Sequence, residues 1–345
     1  MLRIKSLQGL RGWAILMIVL WHLNPLFPGN LPKLGNLGVE FFLMLSGFLI
    51  ARKCDMSSDL RDFHSSAAYT FRKLRSSYPL YLFPAVPVFL LDVFAGPVKP
   101  EAPFYQLLSY CTLTQSWIPV SWIYWGVNGA GWFLPVVLFC YLMTPIIRKT
   151  VQKLGAGSVF FVCLLLQVAA ELLADRFLTE SFSDWLIYIC PAYRLLDFAL
   201  GFCAWHFFTQ HRNESKRRLY ADILFVCLLF VLAGLLLSRP AFMKYVLFHP
   251  FEIALLLTVA SEKSILSNAL NRNRVMIRLG DLSRIIFFTH VPVIRLTGII
   301  WRRLFDPDLV FPLWIVSLLM ILLFAVVTDR ILKRLKQKTR KSPVH

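Results

Sequence analysis

Apolar runs close to the roughly 20 residues that a helix needs to cross a bilayer recur from one end of this chain to the other. They fall at approximately 8–27, 36–51, 78–95, 131–147, 157–175, 190–209, 219–237, 246–261, 282–301 and 312–329. With 57% hydrophobic and 16% charged residues over 345 positions, the chain has far more apolar surface than a single water-soluble core can hide. The expected fold is an all-α, polytopic membrane bundle of about ten transmembrane helices. Only Arg3 and Lys5 precede the first run, and no small-residue cleavage site follows it, so it reads as a retained helix and not a signal peptide. One membrane domain over 1–335 and a basic tail over 336–345 are expected, with no repeat and no appended soluble domain.

A net charge of +18 would suggest nucleic acid in a soluble protein; in a membrane protein the question is which side holds the cations. With a cytosolic N-terminus, 26 of the 37 Lys and Arg fall on inner segments. Seven (Lys33, Lys99, Arg176, Arg239, Lys244, Arg302, Arg303) fall on outer ones, and Arg11, Arg194, Arg284 and Arg295 lie inside runs. The expectation is a multi-pass protein with both termini cytosolic, its basic charge serving orientation and contact with membrane lipids, with no nucleic-acid partner. The seven cysteines show no Cys-x-x-Cys pair and read as small buried hydrophobes.

Two connections are long. The inner one, about 52–77, carries Arg52, Lys53, Arg61, Arg72, Lys73 and Arg75 and is expected to be partly helical. The outer one, about 96–130, is nearly uncharged and holds Tyr105, Tyr110, Trp117, Trp122, Tyr124 and Trp125. These aromatics suit either an interfacial belt or a stacking platform for sugar rings.

Ionisable groups inside membrane runs are costly and face a cavity or a partner. Arg11 and His22 are 11 residues apart; at about 100° and 1.5 Å per residue they share one helix face, about 16 Å apart along the axis. They either line one path at two depths, or are a snorkelling Arg and a hydrogen-bonded His. Glu40 lies near the depth of His22, where a carboxylate could fix the imidazole tautomer for a general base. Arg72 and Arg75 share a helix face at the inner entrance to the third run, a fork suited to phosphate or ordinary positive-inside charge. Arg194 and Asp197, three residues apart, form an intramembrane ion pair or, with Glu252, bind acceptor hydroxyls.

The stretches R-G-W-A-I-L-M-I-V-L-W-H at 11–22 and G-V-E-F-F-L-M-L-S-G-F-L-I at 38–50 resemble the opening of the membrane acyltransferase-3 family. That family's signatures, an Arg or Lys separated by ten residues from a His and an Arg-x-x-Arg before the third helix, fall on Arg11 with His22 and on Arg72 with Arg75. Segments 131–145, 193–201 and 279–293 are similar to later family motifs. The resemblance implies an O-acyltransferase of the cell (inner) membrane. It would move an acyl group, acetyl above all, from cytosolic acyl-coenzyme A to a hydroxyl of an extracytoplasmic glycan or lipid-linked sugar. Acyl-CoA is then a donor substrate, and no metal or tightly bound cofactor is expected. On this reading Arg11, Arg72 and Arg75 hold the donor, His22 steered by Glu40 is the base, and Ser46 is a candidate oxyanion donor.

Trp132-Phe133-Leu134 followed by Val137-Leu138, in place of Trp-Ser-Leu and paired acids, puts the chain with the Trp-Phe-Leu subgroup, with Trp132 as a candidate cavity residue. Ser283-Arg284 replaces the usual Ser-Tyr, so Arg284 either widens the phosphate site or follows the positive-inside bias. His290, two residues before Pro292, either lines a cavity or donates a structural hydrogen bond. The rival reading is a transporter or flippase for an anionic glycan precursor; it would call for two related halves with broken helices, and no such duplication is visible. A lipid-linked sugar polymerase would want larger outer loops.

Overall fold

A computed structural model of the chain describes residues 4–27, 35–56, 60–95, 100–210, 246–306 and 309–341. Among them the architecture is helical throughout. Helices α1 (Lys5–Leu23), α2 (Gly35–Met56) and α3 (Phe63–Ala95) come first, followed by short α4 (Pro103–Cys111) and α5 (Ser121–Tyr124). Next come α6 (Phe133–Leu154), α7 (Ala156–Phe177), short α8 (Glu180–Asp184) with a π turn over Trp185–Ile189, and α9 (Pro191–Gln210). The chain closes with α10 (His249–Ala260), α11 (Ile265–Arg272), α12 (Arg274–Leu304) and α13 (Val310–Lys341).

A helix occupies nine of the ten apolar runs; the run at 219–237 lies outside the described residues. Among the described residues, six helices are long and apolar enough to cross a membrane, or seven if the pair Val246–Ala260 and Ile265–Arg272, bent by 69°, counts as one span. That is fewer than the ten crossings expected. Against seven, the difference is the run outside the described residues together with the first two runs: α1 and α2 have 19 and 22 residues but are not among the spans counted. Both lie inside the bundle, α1 against α12 and α2, and α2 against α9. A helix that faces other helices on most sides can carry Arg11, His22 and Glu40 at a lower hydropathy than one that faces lipid. The inner connection is more helical than expected, because α3 starts at Phe63 and carries Arg72, Lys73 and Arg75 within one continuous helix. At the other end α13 continues to Lys341, into the segment expected as a separate tail.

Within lipid there is little hydrophobic gain from bringing helices together, so close backbone approach through small residues carries much of the association. Gly47 on α2 and Gly201 on α9 face each other reciprocally. A Cβ on Gly47 would lie 1.9 Å from the Phe198 carbonyl oxygen, and one on Gly201 1.9 Å from that of Met44. Gly12 on α1 and Gly280 on α12 do the same for the second seam, at 2.1 Å from Met276 O and 1.9 Å from Gln8 O. These two contacts set the relative position of the helices that carry Arg11, His22 and Glu40.

The outer connection is folded inward. Tyr110 on α4 stacks on Tyr81 of α3 with centroids 4.0 Å apart, and each hydroxyl donates to the other residue's carbonyl at 2.9 Å. Burial pushes the Tyr110 phenol above its ordinary range, so it stays a neutral donor. Pro292 provides the other anchor. Lacking an N–H, it leaves the Phe288 carbonyl without its helical partner, and Asn128 Nδ2 donates to that oxygen at 3.1 Å. A proline two residues after His290 thus fixes the outer connection beside the helix that holds that histidine.

Candidate active site

Two cavities lie along α1. The first, of 360 Å³, contains Arg11, Lys53, Lys73 and Arg284 among its lining residues and no carboxylate. Arg11 Nη2 donates to Ser283 Oγ at 3.0 Å, and Arg284 Nη1 to the Ser76 hydroxyl and carbonyl at 3.0 and 3.2 Å. Lys53 Nζ sits 4.4 Å from the centroid of the Tyr69 ring and Lys73 Nζ 5.2 Å from it. The ring face offsets part of the mutual repulsion; four cations in one cavity still favour a polyanion. Apolar groups such as Phe42, Leu45, Leu49 and Ile50 form the rest of the wall.

The second cavity, of 220 Å³, is lined by His22 together with Trp21, Trp125, Trp132, Tyr188 and Asp184. His22 Nδ1 is 2.9 Å from the Ile18 carbonyl oxygen and must carry a proton to donate to it. His290 Nδ1 bonds in the same way to Ile286 O at 2.9 Å. Its Nε2 is therefore a lone-pair nitrogen, 3.3 Å from His22 Nδ1. Both contacts put a proton on His22 Nδ1, so the neutral ring has its lone pair on Nε2, the form a general base needs. Tyr188 comes from the π turn, an insertion that places irregular backbone where a site needs it. Its ring lies 4.9 Å from Trp132, and its carbonyl accepts from Arg194 Nε at 2.8 Å.

Phe287 lines both cavities. On α12, Ser283, Phe287 and His290 are spaced i, i+4 and i+7, one helix face. That face therefore meets Arg11 at one end and His22 at the other, with the phenyl ring between.

The pairing of Glu40 with His22 is corrected by the geometry. Val39 lines the His22 cavity, and the next residue, rotated by about 100° around the helix, turns away from it. Glu40 is fully buried and meets Arg194 Nη1 at 3.3 Å instead. Arg194 also pairs with Asp197 at 2.7 Å, and Asp197 lies 3.1 Å from His249 Nε2. Glu252 Oε2 is 3.4 Å from His249 Nδ1. The expected Arg194–Asp197 ion pair is thus part of a larger buried cluster, and none of Arg194, Asp197 and Glu252 lines either cavity, the position that binding an acceptor hydroxyl would require. Arg72 and Arg75 are exposed beside the first cavity, Arg72 above Tyr69 at 5.9 Å; Lys73, on the intervening position, is the one that lines it. Ser46 lines the first cavity, away from His22, and its hydroxyl donates to Phe42 O at 2.7 Å. Trp132 is buried against the second. Of the outer aromatics, Trp125 reaches that cavity, whereas Tyr110 is buried against α3.

The family model of the acyltransferase domain, acyltransferase-3, matches residues 4–330. The chain belongs to this family. A protein of Acidianus two-tailed virus named as an acetyltransferase is 25% identical over 300 residues, covering 84% of this chain and 83% of that one. The acyltransferase MdmB of Streptomyces mycarofaciens is 25% identical over 321 residues, 85% of this chain and 79% of its own. A regulator of hypoxia-inducible factor from Caenorhabditis elegans is 29% identical over 138 residues, 38% of this chain and 26% of that one. No solved structure matches the chain.

Membership in the acyltransferase-3 family supports acyl transfer as the reaction class and, with the apolar helices, a membrane protein. Both cavities lie within the matched region. Lys53, Lys73 and Phe287 line the cavities and His249 belongs to the buried cluster, and the sequence singled out none of the four. Lys53 and Lys73 were hidden among positive-inside charges. His249, in a His-Pro pair with Glu252 three residues on, was the one recoverable signal, since i and i+3 share a helix face.

Proposed function

We propose that the protein is a membrane O-acyltransferase that moves an acyl group, most simply acetyl, from cytosolic acyl-coenzyme A to a hydroxyl of an extracytoplasmic glycan or lipid-linked sugar. The observation that carries this is the pair of cavities on α1, one cationic at Arg11 and one aromatic at His22. A cavity of 360 Å³ is of the size that holds a ligand of coenzyme type in part, while one of 220 Å³ suits the reacting ends alone. With both termini cytosolic, as the Lys and Arg distribution favours, the cationic mouth opens to the cytosol. Arg11, Lys53, Lys73 and Arg284 hold the phosphates there, and Arg72 and Arg75 attract the donor at the rim.

In the reaction, His22 Nε2 takes the proton of the acceptor hydroxyl as that oxygen attacks the thioester carbonyl carbon. The C–S bond then breaks, and the imidazolium returns the proton to the departing coenzyme A thiolate, so the base ends as it began. His290 and the Ile18 carbonyl keep His22 in the tautomer that can do this. The aromatic wall of Trp21, Trp125, Trp132 and Tyr188 suits the CH faces of a sugar ring.

The test is acyl-coenzyme A binding and turnover by the protein in nanodiscs. His22→Ala is expected to keep donor binding and lose about 10²–10⁴-fold in transfer, whereas Arg11→Ala and Lys73→Ala weaken donor binding. Absence of coenzyme A binding by the wild type under varied conditions overturns the reading and favours a transporter.

A further inference from the structure

Away from both cavities, α2, α9 and α10 meet at a cluster of charged side chains, each no more than 3% exposed. Glu40, His249 and Glu252 each direct one ligand-type atom into a common space, and these atoms lie within 4.8 Å of one another. His249 Nδ1 stands 3.4 Å from Glu252 Oε2 and 4.0 Å from Glu40 Oε2. Among the described residues, Glu40 Oε2, His249 Nδ1 and both oxygens of Glu252 have no hydrogen-bond partner. Four buried polar atoms left unbonded in a helix bundle are costly, so something must satisfy them.

We propose that Glu40, His249 and Glu252 bind a divalent first-row transition metal ion, of the Zn²⁺ or Mn²⁺ class, that joins α2 to α10. Ligand distances of about 2.1 Å at the tetrahedral angle place two donors on one ion about 3.4 Å apart. The His249–Glu252 separation already meets that spacing, whereas Glu40 needs to close by about 0.6 Å on His249 and by at most about 1.4 Å on Glu252. The surroundings are built for it. Asp197 Oδ1 lies 3.1 Å from His249 Nε2 and accepts from Gln167 Nε2 at 2.6 Å. Nε2 of His249 also lies 3.0 Å from Gln167 Nε2; with the ring proton on Nε2, the Asp197 carboxylate is the outer-shell partner that leaves Nδ1 free to ligate. Arg194 holds Asp197 Oδ2 at 2.7 Å and Glu40 Oε1 at 3.3 Å, so each acid is oriented from behind. With His249 neutral, three carboxylates and one guanidinium leave two negative charges in this contacting set, which a divalent cation cancels. Two carboxylates and an imidazole without a thiolate select this metal class. The ion's place is structural, because none of its ligands lines either cavity.

The test is metal analysis of the full chain, purified in detergent through a tag without histidines and without chelators. About one equivalent of Zn²⁺ or Mn²⁺ per chain is expected. Chelator treatment should lower the midpoint of thermal unfolding, and adding back Zn²⁺ or Mn²⁺ alone should restore it. Glu252→Gln is expected to lose the metal, and Glu252→Asp to keep it with at least tenfold weaker binding. Should Glu252→Gln fail to fold, Co²⁺ substitution decides: visible d–d bands that shift in Glu252→Asp support the site. Wild-type protein with below about a tenth of an equivalent, and no saturable response to Zn²⁺, Mn²⁺ or Co²⁺, overturns the proposal and leaves the cluster satisfied by protons. Full metal content retained in Glu40→Gln overturns it as well. Both readouts are independent of acyl transfer.

Discussion

At the scale of single residues, the choice of partner decides what each ionisable group can do. Among the described residues no carboxylate is paired with His22; a backbone carbonyl and the His290 ring set its tautomer. That arrangement stabilises an imidazolium less than a carboxylate would, and it suits a base that must give its proton back within one turnover. His290 is a positioning residue on this account, and the expected signature of His290→Ala is a fall of about tenfold in kcat with donor affinity unchanged. A variant with wild-type kcat would show that the Ile18 carbonyl alone orients the ring. The sequence showed Arg11 and His22 as a pair because 11 residues bring a helix back to nearly the same face. It could not show that Glu40 turns from that face to Arg194, since the rotation of α2 against α1 is set by packing.

At the scale of elements, the glycine contacts hold the helices that carry these groups. A Cβ at 1.9 Å from a carbonyl oxygen forces α2 and α9 apart, and forced overpacking of this kind costs about 1–3 kcal/mol. Gly47→Val is therefore expected to lower the thermal unfolding midpoint in detergent by several degrees and to broaden the size-exclusion peak, whereas Gly157→Ala, which has nothing within 4 Å, leaves both unchanged. Equal midpoints for the two variants would refute the close seam. Helix positions were legible from apolar run length; the early start of α3 was not. Its first two turns and the stretch up to Tyr78 are polar and basic, and they form a helix because they continue one whose later part is buried at Leu80, Tyr81, Ala85, Val88 and Phe89.

At the scale of the whole molecule, the two cavities share Phe287 in their walls. On the acyl-transfer reading, the thioester must pass this ring to reach His22, and water must not follow. Phe287→Leu, which shortens the shared wall, is expected to raise acceptor-independent hydrolysis of acyl-coenzyme A relative to transfer by several-fold. An unchanged ratio of hydrolysis to transfer would place the passage elsewhere. Salt belongs to this scale too. Four cations around one cavity attract a polyanion over a distance that ionic strength shortens, so donor affinity should weaken as salt rises, and less steeply in Lys73→Ala.

What the sequence by itself determined is one-dimensional: the length and apolarity of the helical runs, the spacing that aligns Arg11 with His22, and the motifs that resemble a family. Tertiary structure alone decided which charges meet. His22 lies 268 positions from His290 and Glu40 154 from Arg194. Contacts over such separations depend on which helices are neighbours and how each is rotated about its axis. Close-packed glycines and a helix-freed carbonyl set those rotations, and neither is a property of any single run of residues.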